Sequence, residues 1–243
     1  MMLAKNLTIC LINLGCAKNL VDSEVILGRL ASSGYILYPE PEGADIIIIN
    51  TCGFIEASRQ ESQKAIRLAL KQKKLYPSKI IGVIGCYVEM AREQLAKLFP
   101  QIDFWLGVKE LGSILEAIEG KKIKSSLSSF LYNDKMPRIL STPPVWAYLK
   151  IAEGCSHCCS FCTIPSIKGP YRSRSIASIV REAQNLVALG VKEINLISQD
   201  TTYFGRDRFK KPQLGRLLEE MIKIPRLRWI RWLYGLPEEV DDS

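Results

Sequence analysis

Histidine is nearly missing from this chain: His157 is the only one among 243 residues. That excludes a metal site built from several imidazoles and leaves no Cys–His dyad away from that position. Long apolar runs are also lacking. No window reaches the ~18–20 continuous apolar residues of a membrane span, so no membrane association is expected. The opening Met1-Met2-Leu3-Ala4-Lys5-Asn6 has neither the charged-then-apolar pattern nor the small-residue cleavage site of a secretory leader. Eight cysteines without such a leader argue against a disulfide framework and for a reducing cytoplasm. Half of the chain lacks net charge: residues 1–120 carry 13 basic and 13 acidic side chains, whereas residues 121–243 carry 20 and 12, which accounts for the whole +8. The excess is either an ordinary basic surface or a face that meets RNA, a ribonucleoprotein or an acidic substrate, and charge alone does not choose.

What is present begins with a core. With 47% hydrophobic residues the chain can bury a sizeable interior in one or two domains. Leu7 to Asn13, Ala44 to Asn50 and Lys79 to Ile84 read as strands, with a weaker fourth at Asp103 to Leu106. Helical periodicity falls near 20–33, 56–75, 88–98 and 109–119. Strand–helix alternation predicts an open parallel sheet covered by helices, and the continuous isoleucine runs suit strands buried on both faces.

This register places three cysteines alike. Cys16 follows the first strand, Cys52 the second and Cys86 the third, each in a short polar or glycine-containing turn. The carboxyl ends of parallel strands open on one edge, where open α/β folds bind ligands. Glycine beside a cysteine lets the backbone approach a bulky inorganic group. The competing reading is three buried free cysteines packing as small hydrophobes; their equivalent topological positions favour convergence. Cys10, inside its strand among Ile9, Leu11 and Ile12, reads as core.

From about 121 to 144 the pattern dissolves into Lys, Ser and Pro and predicts a linker. A second series follows: a strand at Val145 to Ile151, a helix at Ile176 to Leu189 with Gly190 as C-cap, a strand at Val191 to Ile197, a helix at Pro212 to Lys223 and a strand at Leu227 to Tyr234. The expected domains are therefore 1–120 and 145–243.

Between the first strand and helix of this series lies Gly154-Cys155-Ser156-His157-Cys158-Cys159-Ser160-Phe161-Cys162. Cys155, Cys159 and Cys162 form C-x3-C-x2-C. Three thiolates in one short loop can hold three corners of a cubane iron–sulfur cluster and leave the fourth iron open for chemistry. Taking all four cysteines gives a C-x2-C-C-x2-C zinc reading, disfavoured because compact zinc sites separate their two knuckles by a longer span. Structural or redox cysteines are the third alternative, and on the cluster reading Cys158 is a passenger or a minor influence on the cluster.

Cys155, Cys159, Phe161 and Cys162 resemble the C-x3-C-x-aromatic-C signature of the radical S-adenosylmethionine (SAM) enzymes. Cys16, Cys52 and Cys86 upstream of such a loop resemble the methylthiotransferases of that superfamily. The resemblance runs through Leu14 to Glu24, Asn50 to Ile55, Gly154 to Pro165 and Ile197 to Gly205, and so covers nearly the whole chain. It implies a flavodoxin-like N-terminal domain followed by the first part of a (β/α) partial TIM barrel. It further implies two 4Fe–4S clusters: Cys155, Cys159 and Cys162 would hold the one that binds SAM, and Cys16, Cys52 and Cys86 the one that bears the sulfur to be inserted. SAM cleavage to a 5′-deoxyadenosyl radical would then open a C–H bond. Phe161 would lie by the adenine and Gln199, at a strand's carboxyl end, would contact SAM. An electron donor such as a flavodoxin is implied as well. Cys-Ala-Lys-Asn-Leu-Val-Asp-Ser-Glu and Ser-Gln-Asp-Thr resemble the branch that methylthiolates the β-carbon of an aspartate in a small-subunit ribosomal protein; the alternatives are the tRNA-modifying branch, or an inactive cluster-binding fragment. Family members continue through further barrel strands and a C-terminal β-barrel, so the resemblance implies a shortened chain. Cys158 departs from the family, which more often has a basic or polar residue there.

Overall fold

The protein, here a computed structural model that describes residues 6–123 and 129–240, divides into two compact units. The first comprises residues up to Phe130 with Pro137–Ile139 and Ser166–Lys168; the second comprises Leu131–Met136, Leu140–Pro165 and Gly169 onward. Part of the expected linker, 124–128, lies outside the described residues.

The first unit is built on β1 (Thr8–Asn13), α1 (Ala17–Ser32), β2 (Ile36–Leu37), β3 (Ile46–Thr51), α2 (Glu56–Leu75), β4 (Ile80–Gly85), α3 (Cys86–Leu98), β5 (Phe104–Leu106) and α4 (Ile114–Ile118). All five strands are parallel, in the order β2-β1-β3-β4-β5. The order reverses between β1 and β3, which is the switch point of a flavodoxin-like sheet. The isoleucine run explains the centre of the sheet: Ile46, Ile47, Ile48 and Ile49 are all fully buried, with Ile48 facing one core and Ile47 and Ile49 the other. A strand covered on both faces has no solvent side and so no polar alternation.

Cys10 is core, as its setting predicted. Burial, with Glu40 and Glu42 adding to it and Lys79 opposing, pushes its thiol up to about 11. At pH 8 only roughly one Cys10 in a thousand would be thiolate. Iodoacetamide is therefore expected to label exposed Cys158 first and Cys10 last, as peptide mapping over a time course would reveal; early Cys10 labelling would contradict the packing.

The second unit contains β6 (Trp146–Lys150), β7 (Ala152–Glu153), β8 (Arg172–Ser173), α6 (Ile176–Ala188), β9 (Glu193–Ile197), α7 (Arg206–Phe209), α8 (Leu214–Met221) and β10 (Trp229–Trp232); α5 (Ile164–Lys168) runs from this unit into the first. Strands β6, β9 and β10 form a parallel sheet in that spatial order, and β7 pairs antiparallel with β8. Consecutive neighbours joined through α6 and α8 are the repeat of a β/α barrel. Ser175 caps α6 by accepting from the Ser178 N–H, and Gly190 (φ +107°) ends that helical segment. Buried Leu149, Ile194 and Leu196 form the core with Ile179, Ala183, Leu217 and Met221.

Several boundaries differ from the sequence expectation. Helix α1 starts at Ala17, directly after Cys16, and α3 starts on Cys86 itself. Cys86 is therefore the first residue of a helix and not part of a turn. Gly85, with φ +101°, reverses the chain abruptly enough for β4 to run straight into α3. The helix expected over 109–119 is a 3₁₀ turn at Leu111–Ser113 followed by only five α-helical residues.

Candidate functional site

Each unit carries one set of three cysteines. In the first unit Cys16 follows β1, Cys52 follows β3 and Cys86 follows β4, all at the carboxyl edge beside the switch point. Asn19, on the first turn of α1, connects the three positions. Its Nδ2 donates to the carbonyls of Leu14 (3.1 Å) and Thr51 (3.2 Å), and its Oδ1 lies 3.7 Å from Cys86 Sγ as acceptor. One buried amide thus touches the chain just before Cys16, just before Cys52, and Cys86 itself. Helix α2 fixes the middle segment: Ser62 Oγ donates to Cys52 O (2.9 Å) and Arg59 Nε to Gly53 O (3.0 Å). Cys86 also packs with Val108 and Ile167.

Space beside Cys52 is closed to side chains. A Cβ on Gly15 (φ +95°) would stand 2.7 Å from Cys52 Cβ and 3.2 Å from its Sγ. Backbone therefore lies bare against this thiol, as a bulky inorganic group needs. Cys16, Cys52 and Cys86 are soft thiol donors on one sheet edge, and that donor type fits an iron–sulfur cluster. Among the described residues no three His, Cys, Asp or Glu side chains are gathered closely enough to hold a single metal ion.

The polar residues after Cys16 turn inward. Lys18, Asn19, Asp22, Ser23 and Glu24 are all buried. Glu24 pairs with Arg138 (2.6 Å), Asp22 with Lys168 (3.7 Å), and Ser23 Oγ donates to Asn13 (2.8 Å) and accepts from Asn50 (2.9 Å). These groups hold the edge of the sheet together, and only their partners' placement shows it.

In the second unit, the 155–162 loop follows β7. Its frame is made of backbone and short polar contacts. Cys155 N donates to Gly169 O (3.1 Å), Tyr171 N to Ser156 Oγ (3.1 Å), and Cys162 N to Cys159 O (3.1 Å), which closes a turn between two of the candidate ligands. Ile164 N donates to Cys162 Sγ (3.5 Å). Gly154, at φ +83°, passes so close that a Cβ there would stand 2.2 Å from Pro170 O. Cys155 and Cys162 are half-buried, Cys158 and Cys159 exposed. Burial pushes the Cys155 thiol up; the His157 N–H bond opposes this, while Cys162, Asp200 and Cys159 add to it. Three thiolates in one turn repel one another, and bound cations relieve that repulsion. The loop's donor set fits a cluster on this ground too.

Phe161 is 85% exposed at the loop's tip. Gln199 is half-buried at the carboxyl end of β9 and has no side-chain hydrogen bond among the described residues. Beneath the loop lies a group of buried charges absent from the sequence reading. Lys150, fully buried at the end of β6, pairs with Glu153 (2.5 Å), one residue before Gly154. Arg174 pairs with Glu182 (2.6 Å) and stacks over the Tyr132 ring at 4.4 Å, while Tyr132 Oη donates to Glu182 (3.0 Å). Burial works against the Arg174 charge, yet Tyr132 and Glu182 hold its pKa above the usual arginine value.

Two family models match the chain: "Uncharacterized protein family UPF0004" over residues 8–107 and "Radical SAM superfamily" over residues 149–237. The chain thus carries a UPF0004 segment followed by a radical SAM segment, and nearly all of it aligns with the relatives described next. It is 45% identical over 241 residues to the ribosomal protein uS12 methylthiotransferase RimO of Syntrophotalea carbinolica, covering 97% of this chain and 53% of that protein. It is 47% identical over 232 residues to the RimO of Aquifex aeolicus, covering 96% and 50%. The chain thus spans about half the length of the curated relatives it matches. Among solved structures it is similar in fold to the radical SAM methyltransferase TsrM from Kitasatospora setae, with a TM-score of 0.62 at 14% identity over 92% of this chain and 55% of that one.

Proposed function

We propose that the protein serves in the methylthiolation of an aspartate β-carbon in the small-subunit ribosomal protein uS12. The single observation that carries this reading is the presence of two separate three-cysteine sets, each at a strand-end edge of a parallel α/β unit. The names and extent of the relatives support the choice of substrate. On this reading residues 1–120 form the sulfur-bearing domain, 121–144 the linker and 145–243 the SAM domain.

Cys155, Cys159 and Cys162 would hold one 4Fe–4S cluster, and Cys16, Cys52 and Cys86 a second. When bound, these clusters with SAM would supply a methylated sulfur and a radical able to open an unactivated C–H bond. The chain's own residues prepare the two places. Asn19, Ser62 and Arg59 hold the segments that carry the first triad. The Cys159–Cys162 turn holds the second. Gln199, unpaired among the described residues, would bind SAM through its amide, and exposed Phe161 would cover the adenine. A flavodoxin-type protein would supply the electron, and the basic excess of residues 121–243 would meet ribosomal RNA beside the target protein.

Anaerobic incubation with SAM, reductant and sulfide, followed by mass spectrometry of uS12 and of tRNA, tests the substrate. One S–CH3 in place of hydrogen on a uS12 aspartate is expected. The same group on tRNA instead would overturn the protein-substrate reading. SAM cleavage with neither product would favour a cluster-binding fragment.

A further inference from the structure

We propose that His157 is a positioning residue that ties the three-cysteine loop to the end of β9, and thereby sets the loop against Gln199. The inference rests on the reading of Cys155, Cys159 and Cys162 as the SAM-cluster loop. His157 lies between two of these cysteines, and its Nε2 is 2.6 Å from Asp200 Oδ2. A carboxylate only accepts, so Nε2 carries the hydrogen whatever the charge of the ring.

Asp200 is a fixed acceptor. It is 3% exposed, and its second oxygen accepts from Thr202 N (2.9 Å), Thr202 Oγ1 and Tyr203 N (3.3 Å). Its backbone carbonyl accepts from Tyr171 Oη at 2.7 Å. The His157 ring rests edge-on against Tyr203 (5.5 Å between centroids), which in turn rests on Tyr171 (5.0 Å). Ser156, the preceding loop residue, accepts from Tyr171 N. Two successive residues of the loop are therefore clasped by one aromatic and carboxylate frame. That frame includes the residue directly after Gln199. A carboxylate bound on both oxygens does not follow the loop if it shifts, so the loop must come to it.

The consequence is specific: His157 governs SAM binding without touching SAM. The test uses the full chain carrying Cys16, Cys52 and Cys86→Ala, so that only the loop holds iron, with His157, His157→Ala or His157→Gln. Glutamine places an amide N–H where Nε2 stood. All three should hold about four irons per chain. The SAM dissociation constant, measured by equilibrium dialysis on the loaded proteins, should rise about tenfold in His157→Ala and return to within about twofold in His157→Gln. In metal-free protein, amide exchange over residues 155–162 should quicken about tenfold in the alanine variant only. Unchanged SAM affinity in His157→Ala would overturn the proposal whatever the exchange does, as would a glutamine variant no better than alanine. If the parent loads iron but binds no SAM, the reading of the loop fails and this inference with it, whereas a failure confined to the His157 comparison leaves that reading standing.

Discussion

Cys159→Ala is expected to strip the iron from the 155–162 loop and bring 5′-deoxyadenosine formation from SAM down to background, whereas Cys158→Ala leaves both within about twofold. The two residues are adjacent and both exposed, so composition does not separate them. Their backbone setting does. Cys162 N–H closes onto the Cys159 carbonyl at 3.1 Å, and Ile164 N–H reaches Cys162 Sγ, so these two cysteines belong to one hydrogen-bonded turn. Cys158 lies outside it. With Cys159 gone only two ligands remain for three irons, and the vacant corner is open to solvent and oxygen. Iron analysis and chromatography of the cleavage product on both variants check this. A Cys158→Ala protein as iron-poor as Cys159→Ala would mean that the ligand set has been assigned to the wrong cysteines.

The largest expected effect on stability lies under the loop. Glu153→Leu should cost about 3–5 kcal/mol because it leaves the fully buried Lys150 ammonium without the carboxylate at 2.5 Å. Lys150→Met should cost a similar amount by removing the ammonium that Glu153 pairs with. The double variant should recover much of the loss, since the two charges of the pair are then removed together and replaced by apolar side chains of comparable volume. Urea unfolding of the four proteins closes the cycle. Additive losses in the double variant would show that each residue acts through other partners, such as the Tyr132 ring, whose centroid lies 5.8 Å from Lys150 Nζ.

Much of this architecture is legible in the sequence because it follows from simple periodicities. The isoleucine runs at 46–49 and 80–81 mark strands without a solvent face, and glycine-flanked cysteines mark their ends. The short β2 is not legible: two residues at a sheet edge carry no pattern, and Ile36 is half-exposed. The β7–β8 hairpin escapes for the same reason, since Ala152-Glu153 and Arg172-Ser173 are too short to alternate and are separated by the cysteine loop. Residue type and spacing single out the six candidate cysteines, but not the groups that hold their segments. Lys18, Asp22 and Glu24 look like a solvated helix face, yet all three are buried, and Asp22 and Glu24 pair with buried Lys168 and with Arg138. Asn19 had one signal available, its place three residues after Cys16 within a motif already singled out. His157 had another, as the only histidine of the chain.

The two cysteine sets are each expected to hold a cluster. Anaerobic reconstitution with iron and sulfide, followed by iron analysis, tests it directly. The unaltered chain should bind about eight irons, and a Cys16/Cys52/Cys86→Ala variant about four, with the Cys155/Cys159/Cys162→Ala variant also at about four. Equal iron in the unaltered chain and the first variant would mean that Cys16, Cys52 and Cys86 hold no cluster, and the methylthiotransferase reading would lose its second site.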